Sequence, residues 1–253
     1  MEEQALENKL KEAMRGVDSQ DMRFFSLKEV SRLRYAQEEL SFLMDRNYPM
    51  APIIKLIGDR YQLSLRQRLA LQRTTSKTRS CELRQAKRLP ESSIKQGPIY
   101  IDGFNLMITL ETALSGGVIL LGQDGTMRDL AGLRGNYRLI DKTDKALALL
   151  GKALRELEAK EVRFYLDAPI SNSGNLKVKL LEYNLKWEIP ISVEIVDNPD
   201  PILSQMGRIV TTDAIILDAC RSYFNLAAYC IQTHIPDANI VDLSIHHQKT
   251  ETD

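Results

Sequence analysis

Histidine and cysteine are scarce in this chain, with three of each among 253 residues. Cys81, Cys220 and Cys230 form no CxxC pair, which argues against a disulfide framework or a clustered zinc site. His234, His246 and His247 all fall near the C-terminus, and two adjacent histidines rarely face one ligand. Phosphate-cradling glycine loops are missing: there is no GxxxxGKS/T and no GxGxxG after a strand. No GxSxG elbow occurs, and no histidine sits where a triad would need one. No run approaches the roughly 20 apolar residues that span a bilayer. Met1 to Gly16 is charged, unlike a secretory signal. A cytoplasmic, reducing setting without membrane contact is the expectation.

What is present is an ordinary globular composition, 43% hydrophobic and 27% charged, enough to bury a core. Net charge is zero. That balance hides an asymmetry, because Ile53 to Pro90 carries ten Lys/Arg against two acids, leaving the remainder acidic.

The pattern divides the chain. Residues 1–20 read as a frayed helical segment. Residues 21–75 read as a small basic all-α domain. One helix begins at Ser26, with Ser26 and Glu29 at capping-box spacing and Val30, Leu33, Leu40 and Leu43 on one face. Two shorter helices, Pro52 to Gly58 and Ser64 to about Arg73, resemble a helix-turn-helix in outline. Residues 76–97 read as a basic linker with a candidate helix from Ser80 to Leu89. Residues 98–245 alternate strands and helices, and 246–253 are a polar tail. The alternation predicts an α/β fold: a three-layer parallel sheet with helices on both faces. Strands are expected at about 98–102, 162–167, 191–196, 208–212 and 239–243. A long apolar helix is expected from Asp213 to about His234, with Cys220 and Cys230 in the core.

Aspartates close these strands. Asp102 follows Pro98-Ile99-Tyr100-Ile101, Asp167 follows Val162 to Leu166, and Asp213 follows Ile209-Val210-Thr211-Thr212. In open α/β sheets ligands bind where strand C-termini converge. Carboxylates gathered there repel one another unless a cation lies between them, which points to a divalent-metal site. Each acid has a plainer alternative. Asp102 and Asp213 could be helix caps, with Thr211 or Thr212 able to cap in place of Asp213. Asp167 could mark only a turn. In Asp197-Asn198-Pro199-Asp200-Pro201 either acid could face the cleft, although Pro201 suits a first helical turn and makes Asp200 its cap. Asp124 and Asp129 are outlying candidates. Glu111 is rotated away from the Asn105 face, and Asp218 is placed to pair with Arg221 at i+3. Phe104 stands where an aspartyl phosphatase would want the second acid of DxD.

Asp102-Gly103-Phe104-Asn105, Leu166-Asp167-Ala168 and Thr211-Thr212-Asp213-Ala214 together resemble signatures of the PIN-like nuclease superfamily, particularly its NYN branch. The whole chain resembles an uncharacterised archaeal and bacterial family with a helical N-terminal domain and a PIN-like domain. The resemblance implies a Mg²⁺- or Mn²⁺-dependent endoribonuclease with Asp102, Asp167, Asp200 and Asp213 as catalytic and metal-binding residues. Asn105 and Thr212 would orient phosphate or water. Arg66, Arg68 and Arg73 would grip the RNA backbone, making binding salt-sensitive. RNA is the expected partner and DNA the second choice, with a homodimer admitted. The alternatives are a non-catalytic RNA- or DNA-binding module and a regulatory protein-interaction module.

Overall fold

A computed structural model describes residues 14–132 and 135–244. The first thirteen residues and the tail from 245, which hold the N-terminal part of the expected frayed segment, His246 and His247, lie outside the described residues.

Five helices open the described chain, Asp21–Phe24, Leu27–Asp45, Met50–Arg60, Leu65–Thr74 and Thr78–Lys87. The second starts after Ser26, but the Ser26 side chain makes no capping bond. Glu29 instead pairs with Arg32 at 2.6 Å and accepts from Gln67 Nε2 at 3.1 Å. The reciprocal capping box belongs to Ser64 and Gln67, at the next helix start but one. The candidate helix expected from Ser80 to Leu89 runs from Thr78 to Lys87, with its Arg84 anchored inside the protein.

The main sheet is parallel, with strand order β5-β4-β1-β6: Ile191–Val196, Val162–Asp167, Ile99–Asp102 and Ile209–Val210. Central parallel strands are buried on both faces. One face of β1 and β4, formed by Ile99, Ile101, Val162, Phe164 and Leu166, is fully buried, while Tyr100 and Arg163 on the other face are half-buried. Helices flank the sheet, so the chain is mixed α/β with an N-terminal helical region. From β1 the chain moves to β4 and β5, then returns to place β6 on the other side of β1. The direction of progression therefore reverses between β1 and β6, the kind of switch point at which α/β sheets bind ligands.

The expected fifth strand is not part of this sheet. Ile240–Asp242 (β7) pairs in parallel with Ile119–Leu121 (β2), which pairs antiparallel with Met127–Asp129 (β3) in a second, three-stranded sheet. Val118, Leu120, Leu130, Val241 and Leu243 of this smaller sheet share one apolar cluster with Leu33, Leu40, Ile53, Ile57 and Leu71 of the N-terminal helices. The two-residue β6 is shorter than the expected 208–212 strand.

The single helix expected over 213–234 is broken into Ala214–Ala219 and Leu226–His234. Between them the backbone turns extended. Ile209 N donates to Ser222 O, Phe224 N to Ile209 O and Tyr223 N to Lys87 O. Pairing beside β6 outweighs the helical bonds that Cys220 to Asn225 would otherwise make. Cys220, Cys230 and Trp187 are buried in the core.

Candidate functional site

Asp102 ends β1 and caps the helix Gly103–Leu114 that follows at once. Its two roles coexist on different oxygens. Oδ1 accepts from Asn105 N at 3.3 Å, and Oδ2 accepts from the Thr211 hydroxyl at 2.9 Å. Gly103 lets this junction form, because a Cβ there would lie 3.2 Å from the Tyr165 carbonyl and inside the Leu166 side chain. Burial pushes the Asp102 carboxyl up to about 7; hydrogen bonds from Thr211 and Asn105 oppose this, and the charges of Asp167 and Asp213 add to it.

The other three acids join by electrostatics. Asp167, at the end of β4, is raised by burial and by Asp200. Asp200 is raised by burial and by Asp213. Asp200 is the first residue of its short helix, not the cap; Pro199 holds the cap position, so the Asp200 carboxylate is not spent on capping. Asp197 is exposed. Asp213 does cap its helix, contrary to the alternative in which a threonine would. Its Oδ1 accepts from Ile215 N at 2.7 Å and Ile216 N at 3.2 Å. Thr211 is committed to Asp102, and Thr212 to Asn105.

Asn105 crosses the switch point. Its Oδ1 accepts from both Thr212 N at 2.9 Å and the Thr212 hydroxyl at 3.0 Å. This ties the first turn after β1 to the loop after β6. A cleft of about 290 Å³ opens here, lined by Asn105, Thr212, Asp213, Asp129, Arg73 and Arg128 among others.

Asp129 reaches this cleft and Asp124 does not. Asp129 Oδ2 accepts from the Thr109 hydroxyl at 2.8 Å and Oδ1 from Ala131 N at 2.9 Å. Burial raises its carboxyl, against the opposing charge of Arg73. Asp124 is enclosed by Arg128 and Arg84. Burial opposes its charge, but those arginines hold it well below the usual carboxylate range. Glu111 lies elsewhere, fully buried against Arg15, Tyr137 and Thr143. Asp218 pairs with Arg84, not Arg221, at 2.7 and 2.9 Å.

The three arginines assigned to RNA separate. Arg66 is engaged by Asp21 and the Gly16 carbonyl. Arg68 binds Asp59 at 2.8 Å and the Leu63 carbonyl at 2.9 Å. Arg73 alone lines the cleft. Gln72, Thr75 and Ser76 line it too and carry no motif that would single them out in the sequence. Asp129 did have a signal, since it ends a short strand after the Gly122-Gln123-Asp124-Gly125 turn. Among the described residues, no three acidic, histidine or cysteine side chains converge closely enough to hold a cation as they stand. Among the described residues, no helix is long and apolar enough to cross a membrane.

Fold and cleft define a mixed α/β protein whose crevice, lined by two acids and two arginines, lies at strand C-termini beside an N-terminal helical region. The chain belongs to the family described as Domain of unknown function (DUF5616), whose model matches residues 91–229. A second model, Protein of unknown function (DUF434), matches residues 32–87. The chain is 34% identical over 182 residues to the uncharacterized protein MJ0935 of Methanocaldococcus jannaschii, a match covering 72% of this chain and 87% of that one. No solved structure matches it.

Proposed function

We propose that the chain is a divalent-cation-dependent endoribonuclease with a PIN-like α/β region. The observation that carries this reading is the placement of aspartates at one end of the parallel sheet, Asp102 ending β1, Asp167 ending β4 and Asp213 capping the helix after β6, with like charge from Asp167 and Asp213 adding to the raised carboxyl of Asp102. Such repulsion on the buried Asp102 is unfavourable, and a bound cation relieves it. Among the described residues, no three acidic, histidine or cysteine side chains converge to direct ligation distance. Mg²⁺ fits such an arrangement, because it keeps several of its waters and takes only one or two protein carboxylates directly. Asp213 and Asp102 are the residues that would hold it, with Asp167 and Asp200 reached through water. A cation there supplies positive charge to a phosphodiester and makes an attacking water more acidic. Asn105 keeps the two sides of the crevice in register and has its amide NH₂ left to orient a phosphoryl oxygen.

The test is cleavage of labelled structured RNAs with Mn²⁺ and with EDTA, comparing wild type, Asp102→Asn and Asp213→Asn. Metal-dependent cleavage lost in both variants, with circular dichroism unchanged, is the expected result. A second reading, a nucleic-acid-binding module without catalysis, is favoured by Arg73, whose partly exposed guanidinium lines the cleft. Salt-sensitive RNA binding by all three proteins with no cleavage by any would select it.

A further inference from the structure

The cleft beside Asp213 has two walls from distant parts of the chain. One is the sheet edge, with Asn105, Thr212 and Asp213; the other is the end of helix Leu65–Thr74 and the turn after it, with Arg73 and Thr75. That turn is fixed to the body of the protein. Gln123 N donates to Thr74 O at 3.0 Å, Ser76 N to Gln123 Oε1 at 3.2 Å, and Arg84 Nη1 to Ser76 Oγ at 2.8 Å. Arg73 is thus presented from rigid backbone.

Three side chains keep donors that no hydrogen bond within the described residues uses. Arg73 uses Nη1 on the Asp129 carbonyl, and its Nε and Nη2 take no partner among the described residues. Its side chain is 32% exposed, so the guanidinium is reachable. The Thr75 hydroxyl is buried without a hydrogen-bond partner, in a residue only 4% exposed. Leaving such a group unpaired costs about 1–3 kcal/mol, so an unpaired hydroxyl on a cleft wall points to a ligand. The Asn105 amide NH₂ is the third, its Oδ1 being spent on Thr212. Arg128 is held in place by other contacts, its Nε on the Thr212 carbonyl and its two Nη atoms on Asp124, so its guanidinium edge is not free to meet two phosphate oxygens as a fork. Asp129, the nearest acid to Arg73, already accepts from Thr109 and Ala131.

We infer that Arg73, Thr75 and Asn105 form a subsite for one phosphoryl group, so that the N-terminal helical region completes the cleft. The planar guanidinium matches two phosphate oxygens at once, which a point charge does not. The assignment of a nucleic-acid phosphate rests on the nuclease reading; the anion subsite itself does not.

Inorganic phosphate titrated into the ¹⁵N-labelled full chain, with Mg²⁺ and with EDTA, tests the subsite directly. The readout is the arginine Nε–Hε resonances, Arg73 being assigned by its loss in Arg73→Lys. A saturable shift of Arg73, weakened about tenfold in Thr75→Val, is expected. No saturable shift at Arg73, or an equal shift at the exposed Arg79, overturns the inference. RNA cleavage with Mn²⁺ is measured alongside. Arg73→Ala is expected to raise KM about tenfold with kcat little changed, the signature of lost ground-state binding. A wild type that cleaves RNA while Arg73→Ala keeps its KM removes the subsite and leaves the nuclease reading intact. Phosphate bound at Arg73 by a wild type that cleaves nothing does the reverse. If Arg73→Ala does not fold, Arg73→Lys carries the KM comparison, since it keeps the charge and loses the fork.

Discussion

Arg128 grips Asp124 at two points, Nη1 on Oδ1 at 3.0 Å and Nη2 on Oδ2 at 2.6 Å, while its Nε holds the Thr212 carbonyl at 2.8 Å. Arg84 meets the same carboxylate at 2.8 Å and reaches the Ala214 carbonyl at 3.3 Å. The loop bearing Asp213 is therefore clamped on both sides through one buried acid. Breaking a buried pair leaves an uncompensated charge. Asp124→Asn, similar in shape, should lower unfolding free energy by about 3–5 kcal/mol in urea titrations. A loss near zero would show that the clamp is not what holds this loop.

Acid should expose the same clamp. The arginines hold the folded Asp124 carboxyl below its unfolded value, so its stabilisation is present above about pH 4. It is lost as pH falls through the folded value. Wild type should therefore lose stability more steeply than Asp124→Asn below about pH 4. Parallel stability curves for the two proteins would refute this.

Asp102 has the opposite sign. Its folded carboxyl is raised to about 7, so the charged form destabilises the protein above that pH. Stability is recovered as pH falls toward the unfolded value of about 4. Asp102→Asn should raise Tm by about 5 °C or more at pH 8 in EDTA. The gain should shrink toward pH 5. Mg²⁺ should stabilise wild type and leave the variant unmoved. A variant less stable than wild type at pH 8 would mean that the Thr211 and Asn105 hydrogen bonds outweigh the burial of charge.

These relations mark what the residues disclose in order. Strand-ending Asp102 and Asp167 were legible because a parallel strand is a short apolar run and its last residue stands out; Asp213 was found by the same pattern although β6 stops at Val210. That β6 lies beside β1, bringing Asp213 next to Asp102, was not legible, because strand order is set by packing and not by any one strand's residues. The pairing of Ser222 to Phe224 beside β6 was not legible. Their neighbours Ile215 to Ile231 have helical apolar spacing, and partners distant in sequence, Lys87, Leu89 and Ile209, select the extended form. Arginine roles were equally hidden. Arg66, Arg68 and Arg73 recur on one short helix, yet Asp21, Asp59 and Asp129 decide what each one does.

Arg66 and Arg68 should accordingly matter for stability and not for RNA. Arg66 joins Asp21 and the Gly16 carbonyl, pinning the first described segment to the fourth helix. Arg66→Ala should destabilise by about 1–3 kcal/mol, as loss of a partly buried charged hydrogen-bond network does. RNA affinity and its salt slope should be unchanged. A slope reduced by about one unit would put Arg66 on a phosphate.

Asn105 allows charge to be separated from hydrogen bonding. Asn105→Asp keeps an oxygen that accepts from Thr212 N and its hydroxyl, so the link across the switch point survives. It adds a further negative charge beside Asp102 and Asp213. Without a cation the variant should be less stable than wild type at pH 8 and approach it at pH 5, where the crevice carries fewer charges. With Mn²⁺ the order should change, because an added carboxylate strengthens an all-oxygen site. Calorimetric titration should then give tighter Mn²⁺ binding than wild type. Asn105→Ala removes the link and adds no charge, so it should lose stability at both pH values and gain no affinity. Equal Mn²⁺ affinity in Asn105→Asp and wild type would place any cation away from the β1–β6 crevice.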